Sequence, residues 1–168
     1  MFDIVLKNAL CVSSKERKKQ NIAIKDGLIA YTGEDLPDAG EVFDLEGKIV
    51  LPGVIDSQVH FREPGPTHKE DLATGSMAAA LGGVTTFFEM PNTSPATTSV
   101  EALKDKIERA NEKSVTDFGF YIGANGKNLE ELKKAHELDK CVGIKIFLGS
   151  STMLLILLLK QHFLFMML

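Results

Sequence analysis

The sequence predicts an α/β fold: short β-strands over the first third, then strands alternating with helices as in half of a (β/α)8 barrel. Three observations predict it. Residues 2–52 hold short apolar runs, broken at the hairpin-turn dipeptide Asp26-Gly27 and again at Glu46-Gly47. From Val54 onward, four apolar runs alternate with three helical patterns, the signature of parallel βαβ units. The chain has 168 residues, whereas a closed eight-stranded barrel takes about 200 or more. The reading divides the chain into a strand-rich segment 1–53, a half barrel 54–152 and an apolar tail 153–168.

In order, Phe2 to Val12 is the first strand, and Asn21–Lys25 and Leu28–Thr32 form a hairpin around Asp26-Gly27. Lys15 to Lys19 reads as a solvated charged loop. Glu41 to Leu51 gives two more short strands. The first barrel strand is Val54 to Phe61. Thr67-x-x-Glu70 is a capping box that opens a helix running to about Leu81, where Gly82-Gly83 stops it. Gly75, Ala78, Ala79 and Ala80 keep that helix small enough to pack closely on a sheet. Val84 to Met90 is the second strand, and Thr98-x-x-Glu101 opens a second helix with Leu103, Ile107 and Ala110 on one face. Asp117 to Gly123 is the third strand. Asn128 caps a third helix whose inward stripe is Leu129, Leu132, Ala135 and Leu138, and Cys141 to Leu148 is the fourth strand.

Chemistry gathers in Gly53 to Gly65. Read with a period of two, Asp56, Gln58, His60 and Arg62 share one face, and Ile55, Ser57, Val59 and Phe61 share the other. Acid, amide, imidazole and guanidinium on one strand face mark a site at the strand's carboxyl end, closed by Pro64-Gly65. His60 is the best metal candidate. Lys145 lies in Gly143-Ile144-Lys145-Ile146-Phe147, on the face turned into the barrel with Gly143 and Phe147. A buried ammonium must be paired or lose its charge, and a salt bridge to Glu89 or Asp56 is the plain reading. Arg62 is either a carboxylate-binding fork or an ion-pair partner of Glu63 or Asp56. Asn92 ends the second strand in Glu89-Met90-Pro91-Asn92-Thr93, either as a site residue or as a turn residue before Ser94-Pro95. His68 reads as a surface residue and His136 as a packed or half-exposed side chain; neither has a case as a ligand.

These motifs resemble the cyclic amidohydrolases, and dihydroorotase in particular. The resemblance rests on Pro52-Gly53-x-Ile55-Asp56, His60-x-Arg62-Glu63-Pro64-Gly65 and Met90-Pro91-Asn92-Thr93, and it extends over residues 2–152. It implies a barrel preceded by a small β-sandwich, zinc as cofactor, and a cyclic amide or carbamoyl amino acid as substrate. In dihydroorotase that substrate is the ring between carbamoyl-aspartate and dihydroorotate, in pyrimidine biosynthesis. By the same resemblance His60 is a metal ligand, Lys145 matches a carboxylated lysine that bridges two zinc ions, and Arg62 with Asn92 holds the substrate carboxylate. One position departs from the pattern: Gln58 stands where the family carries its first metal histidine, and an amide oxygen is a poor zinc ligand beside an imidazole nitrogen. The family's remaining histidines and its proton-shuttling aspartate lie on later strands. The expectation is therefore a truncated, inactive member of the family. The alternatives are a non-catalytic scaffold subunit, or a half barrel completed by a separate C-terminal fragment.

Composition narrows the partners. The net charge is −4 and the isoelectric point about 5.6, with no basic patch for nucleic acid. Cys11 and Cys141 read as buried thiols in a reducing cytoplasm. Met153 to Leu168 is almost wholly apolar except at Lys160-Gln161-His162 and is shorter than the ~20 residues of a membrane helix. It reads as out of register with the preceding protein, as after a frameshift, with a partner-docking or membrane-associated tail as alternatives. Open parallel strand edges predict self-association.

Overall fold

A computed structural model describes residues 1–147, so the apolar tail 153–168 lies outside the described residues. The chain divides after Pro52 into two units.

The first unit is one five-stranded sheet. Strand β1 (Phe2–Val12) pairs antiparallel with β2 (Arg17–Lys25), which pairs antiparallel with β3 (Leu28–Gly33). On its other side β1 takes two parallel neighbours, β4 (Ala39–Asp44) and β5 (Ile49–Val50). Asp26 and Gly27 both have positive φ, 52° and 76°, as a two-residue hairpin turn of this hand requires. The charged run expected as a loop is shorter than predicted. Ser13 closes a tight turn with Glu16, its backbone N–H donating to the Glu16 carbonyl at 2.9 Å. Arg17, Lys18 and Lys19 then pair with Val12, Cys11 and Leu10 as exposed strand residues.

The second unit is a parallel sheet in the order β6-β7-β8-β9: β6 (Val54–Val59), β7 (Val84–Glu89), β8 (Asp117–Gly123) and β9 (Cys141–Lys145). Helices α1 (Leu72–Leu81), α2 (Val100–Lys113) and α3 (Leu129–Ala135) make the crossovers. Phe87 of β7 and Phe118, Phe120 and Ile122 of β8 form the core with Leu72, Leu103, Ala110 and Ala135 from the three helices. Gly75 is needed where α1 meets the chain after β6, because a Cβ there would lie 2.7 Å from the Phe61 ring.

Helix starts differ from the sequence reading. Residues 67–69 form a turn, with the Lys69 N–H donating to the Pro66 carbonyl, and Asp71 caps α1 by accepting from the Thr74 N–H at 2.8 Å. Ser99, not Thr98, caps α2 by accepting from the Ala102 N–H at 3.1 Å. Asn128 precedes α3 but makes no cap bond. Its amide donates to the Thr98 and Gly123 carbonyls at 2.7 and 2.9 Å, tying loops together instead. Leu129 is exposed, so the inward stripe of α3 begins at Leu132. The edge strands also expose apolar side chains: Val54 and Ile55 on β6, Val142 and Ile144 on β9. Among the described residues, no helix is long and apolar enough to cross a membrane.

Candidate active site

The carboxyl ends of β6 and β7 are joined by a short ladder of hydrogen bonds. The Met90 N–H donates to the Val59 carbonyl at 3.0 Å, and the Ser94 N–H donates to the Pro64 carbonyl at 2.9 Å. Gly65 (φ 112°) lets the two loops touch, since a Cβ there would sit 2.6 Å from the Ser94 carbonyl oxygen. Between these rungs, His60 Nδ1 lies 2.8 Å from Asn92 Oδ1. With the amide oxygen as acceptor, Nδ1 carries the proton and Nε2 keeps a lone pair. That is how a histidine ligand is held when its second nitrogen is fixed by a neighbouring carbonyl.

Glu89, at the end of β7, is fully buried, with one hydrogen-bonded oxygen and one in an ion pair. Oε1 accepts from the backbone N–H of Arg62 at 3.0 Å, and Oε2 lies 2.7 Å from Lys106 Nζ of α2. Lys106 is also fully buried, donates to the Met90 carbonyl at 3.2 Å and sits 4.8 Å from the centre of the Phe120 ring. Burial pushes the Glu89 carboxyl up and the Lys106 ammonium down, and their mutual attraction opposes both shifts. Glu63, also buried, faces elsewhere. It accepts from the Leu72 N–H at the start of α1 at 3.0 Å, ion-pairs with Lys113 and reaches Arg109 at 4.0 Å.

Several sequence expectations change. Glu89 pairs with Lys106 and not with Lys145, whose ammonium lies 5.3 Å from the Phe147 ring centre. No ion pair joins Lys145 to Asp56, or Arg62 to Glu63 or Asp56, among the described residues. The strict period of two does not run from Asp56 to Arg62. Asp56 pairs with Phe87 and Val59 with Glu89, so β6 carries an irregularity, β6 ends at Val59, and Arg62 is left-handed at φ 69°. Asp56 accepts from the Gln58 N–H at 3.1 Å, and both side chains are exposed. His60 follows β6 and Lys145 ends β9, the two outer strands in the sheet order. The structure thus brings together His60, Asn92 and the Arg62 backbone, and shows no hydrogen bond or ion pair from Gln58 or Lys145 side chains to them among the described residues. His68 is exposed, and His136 is exposed against the Lys133 carbonyl at the end of α3. Cys11 and Cys141 are free and half-buried, not fully buried. Sequence reasoning missed Lys106. The signal was its place on the α2 stripe, three residues after Leu103 and four before Ala110.

Comparison with known proteins fixes the class. The dihydro-orotase-like family matches residues 47–140. The chain belongs to that family of cyclic amidohydrolases. It is 40% identical over 152 residues to an allantoinase of Escherichia coli O1:K1 / APEC, covering 89% of this chain and 33% of that protein. An allantoinase of Desulfitobacterium hafniense (strain Y51) is 40% identical over 150 residues, again with 33% of that protein covered. Among solved structures, an L-hydantoinase (dihydropyrimidinase) from Arthrobacter aurescens superposes with a TM-score of 0.89 at 34% identity, covering 94% of this chain and 36% of the other. A D-hydantoinase gives a TM-score of 0.80 at 32% identity, covering 93% and 35%. The chain therefore spans about a third of the length of the relatives it matches.

The donor set tests the zinc that the resemblance implies. His60 Nε2 fits one ligand position. Among the described residues, no three of histidine, cysteine, aspartate and glutamate come together as a metal site. A catalytic zinc normally takes three protein ligands, so the residues present do not fit a whole centre.

Proposed function

We propose that this chain carries the first strands of a metal-dependent cyclic amidohydrolase and that its 168 residues alone do not turn over substrate. The carrying observation is the His60–Asn92 hydrogen bond, which fixes one imidazole with its Nε2 lone pair free. It supports His60 as a single metal ligand waiting for others. In this reading Arg62 offers its guanidinium to a substrate carboxylate, and the Asn92 amide nitrogen donates beside it while Oδ1 holds His60. Lys145, carboxylated, and Gln58 are the remaining candidates around the metal.

The substrate class is a small cyclic amide or ureide. The allantoinase and hydantoinase relatives widen it from the dihydroorotate ring of pyrimidine biosynthesis. The completing strands would come from further polypeptide, and the reading places the protein in the cytoplasm. Gln58 favours a second reading, a scaffold subunit that keeps the fold without the reaction. Assay of the 168-residue chain on allantoin, hydantoin and dihydroorotate with added zinc tests the proposal. No turnover is expected; turnover that disappears in His60→Ala would overturn it.

A further inference from the structure

We infer that Glu89 and Lys106 are positioning residues: their buried pair fixes the left-handed backbone at Arg62 and, through it, the His60–Asn92 contact. The inference deepens the proposed function, since the residues it places are the ones that reading uses. A buried ion pair is weak evidence for stability, because an apolar pair of similar volume often does as well. The remaining valences of this pair show what else it does. Glu89 has one oxygen on Lys106 and spends the other on the Arg62 N–H at 3.0 Å. Lys106 donates to the Met90 carbonyl at 3.2 Å. Arg62 and Met90 are the residues two after His60 and two before Asn92. Each partner therefore grips one of the two loops that the His60–Asn92 bond spans. Arg62 needs the grip, because a side chain at φ 69° is disfavoured unless its surroundings hold it. Apolar residues at 89 and 106 would fill the space and leave the Arg62 N–H without its acceptor.

The test compares the 168-residue chain with the double variant Glu89→Leu/Lys106→Met and with Glu89→Gln, in three readouts. These are the urea midpoint, hydrogen exchange at the Arg62 amide, and the His60 ring tautomer by nitrogen NMR. In the double variant the urea midpoint should stay close to that of the parent. Arg62 exchange should accelerate about tenfold or more, as expected for a lost hydrogen bond, and His60 should lose its preference for the Nδ1–H form. Glu89→Gln keeps an acceptor for the Arg62 N–H, so Arg62 protection and the His60 tautomer should be retained while the midpoint falls. A folded double variant with unchanged Arg62 exchange and unchanged His60 tautomer overturns the inference. If the double variant does not fold, Glu89→Gln decides: retained His60 and Arg62 signatures support it, and their loss overturns it. All three readouts belong to the chain's own geometry, so a negative result here leaves the proposed function standing, and turnover in the assay above leaves this result standing.

Discussion

The middle and the edges of the parallel sheet are finished to different degrees. At the centre, β7 and β8 bury Phe87, Phe120 and Ile122 completely, and even the charges there are matched, Glu89 with Lys106. On the outer strands, Val54 and Ile55 of β6 are 52% and 58% exposed, and Ile144 of β9 is 52% exposed. The family's candidate metal ligands lie on or just after the outer strands: Gln58 in β6, His60 directly after it, Lys145 at the end of β9. Of these, His60 bonds Asn92 in the loop after the finished strand β7. The difference teaches that folding and chemistry draw on different parts of this chain. The centre holds the fold with its own residues, whereas the candidate site residues lie toward the exposed outer strands.

The largest contrast should appear in stability. Phe120→Ala empties a fully buried position and should cost about 3–5 kcal/mol in urea unfolding. Ile144→Ala on the β9 edge should cost less than about 1 kcal/mol, because its side chain is already half in water. Equal losses would break the comparison.

A smaller effect separates the observed caps from those the sequence favoured. Ser99→Ala removes the acceptor for the Ala102 N–H and should cost about 1 kcal/mol, whereas Thr98→Ala leaves that bond intact and should cost less. The reverse order would restore Thr98 as the cap.

The smallest effect lies in the first unit. The Asn8 amide, the Glu46 N–H and Lys7 hold Asp44 at a pKa of about 2, below its ordinary value of 3.8. A carboxylate depressed in the folded state contributes stability above its unfolded pKa and loses it as pH falls through the folded value. The Asp44 contribution should thus be full above about pH 4 and fade toward pH 2. It is slight, because the group is exposed and screened. The urea midpoint of Asp44→Asn should fall less than that of the parent over this window, and parallel curves would remove Asp44 from the account.

How much of this was legible in the sequence depends on how local the cause is. The hairpin at Asp26-Gly27 and strand β8 over Asp117–Gly123 stand where the sequence puts them, because turn chemistry and dense apolar runs act over a few residues. The caps were misplaced where several cap-forming residues cluster, as at Thr67 and Asp71 or Thr98 and Ser99, and tertiary contacts choose among them. The motif around His60 and Asn92 was readable as a site, yet their direct bond joins residues 32 apart and could not be. The Glu89–Lys106 pair was hidden for the same reason, although a lysine on an apolar helix stripe implies a buried acid somewhere. The period-two reading of Asp56 to Arg62 failed because an irregular register and a left-handed residue interrupt it.

The central claim is that this chain holds one imidazole, His60, as a metal ligand, while no three-residue metal site forms among the described residues. Equilibrium dialysis of the 168-residue chain against zinc, with metal quantified per chain, tests it most directly. The account predicts weak binding that falls well short of one equivalent. A full equivalent of tightly held zinc that is lost in His60→Ala would contradict it.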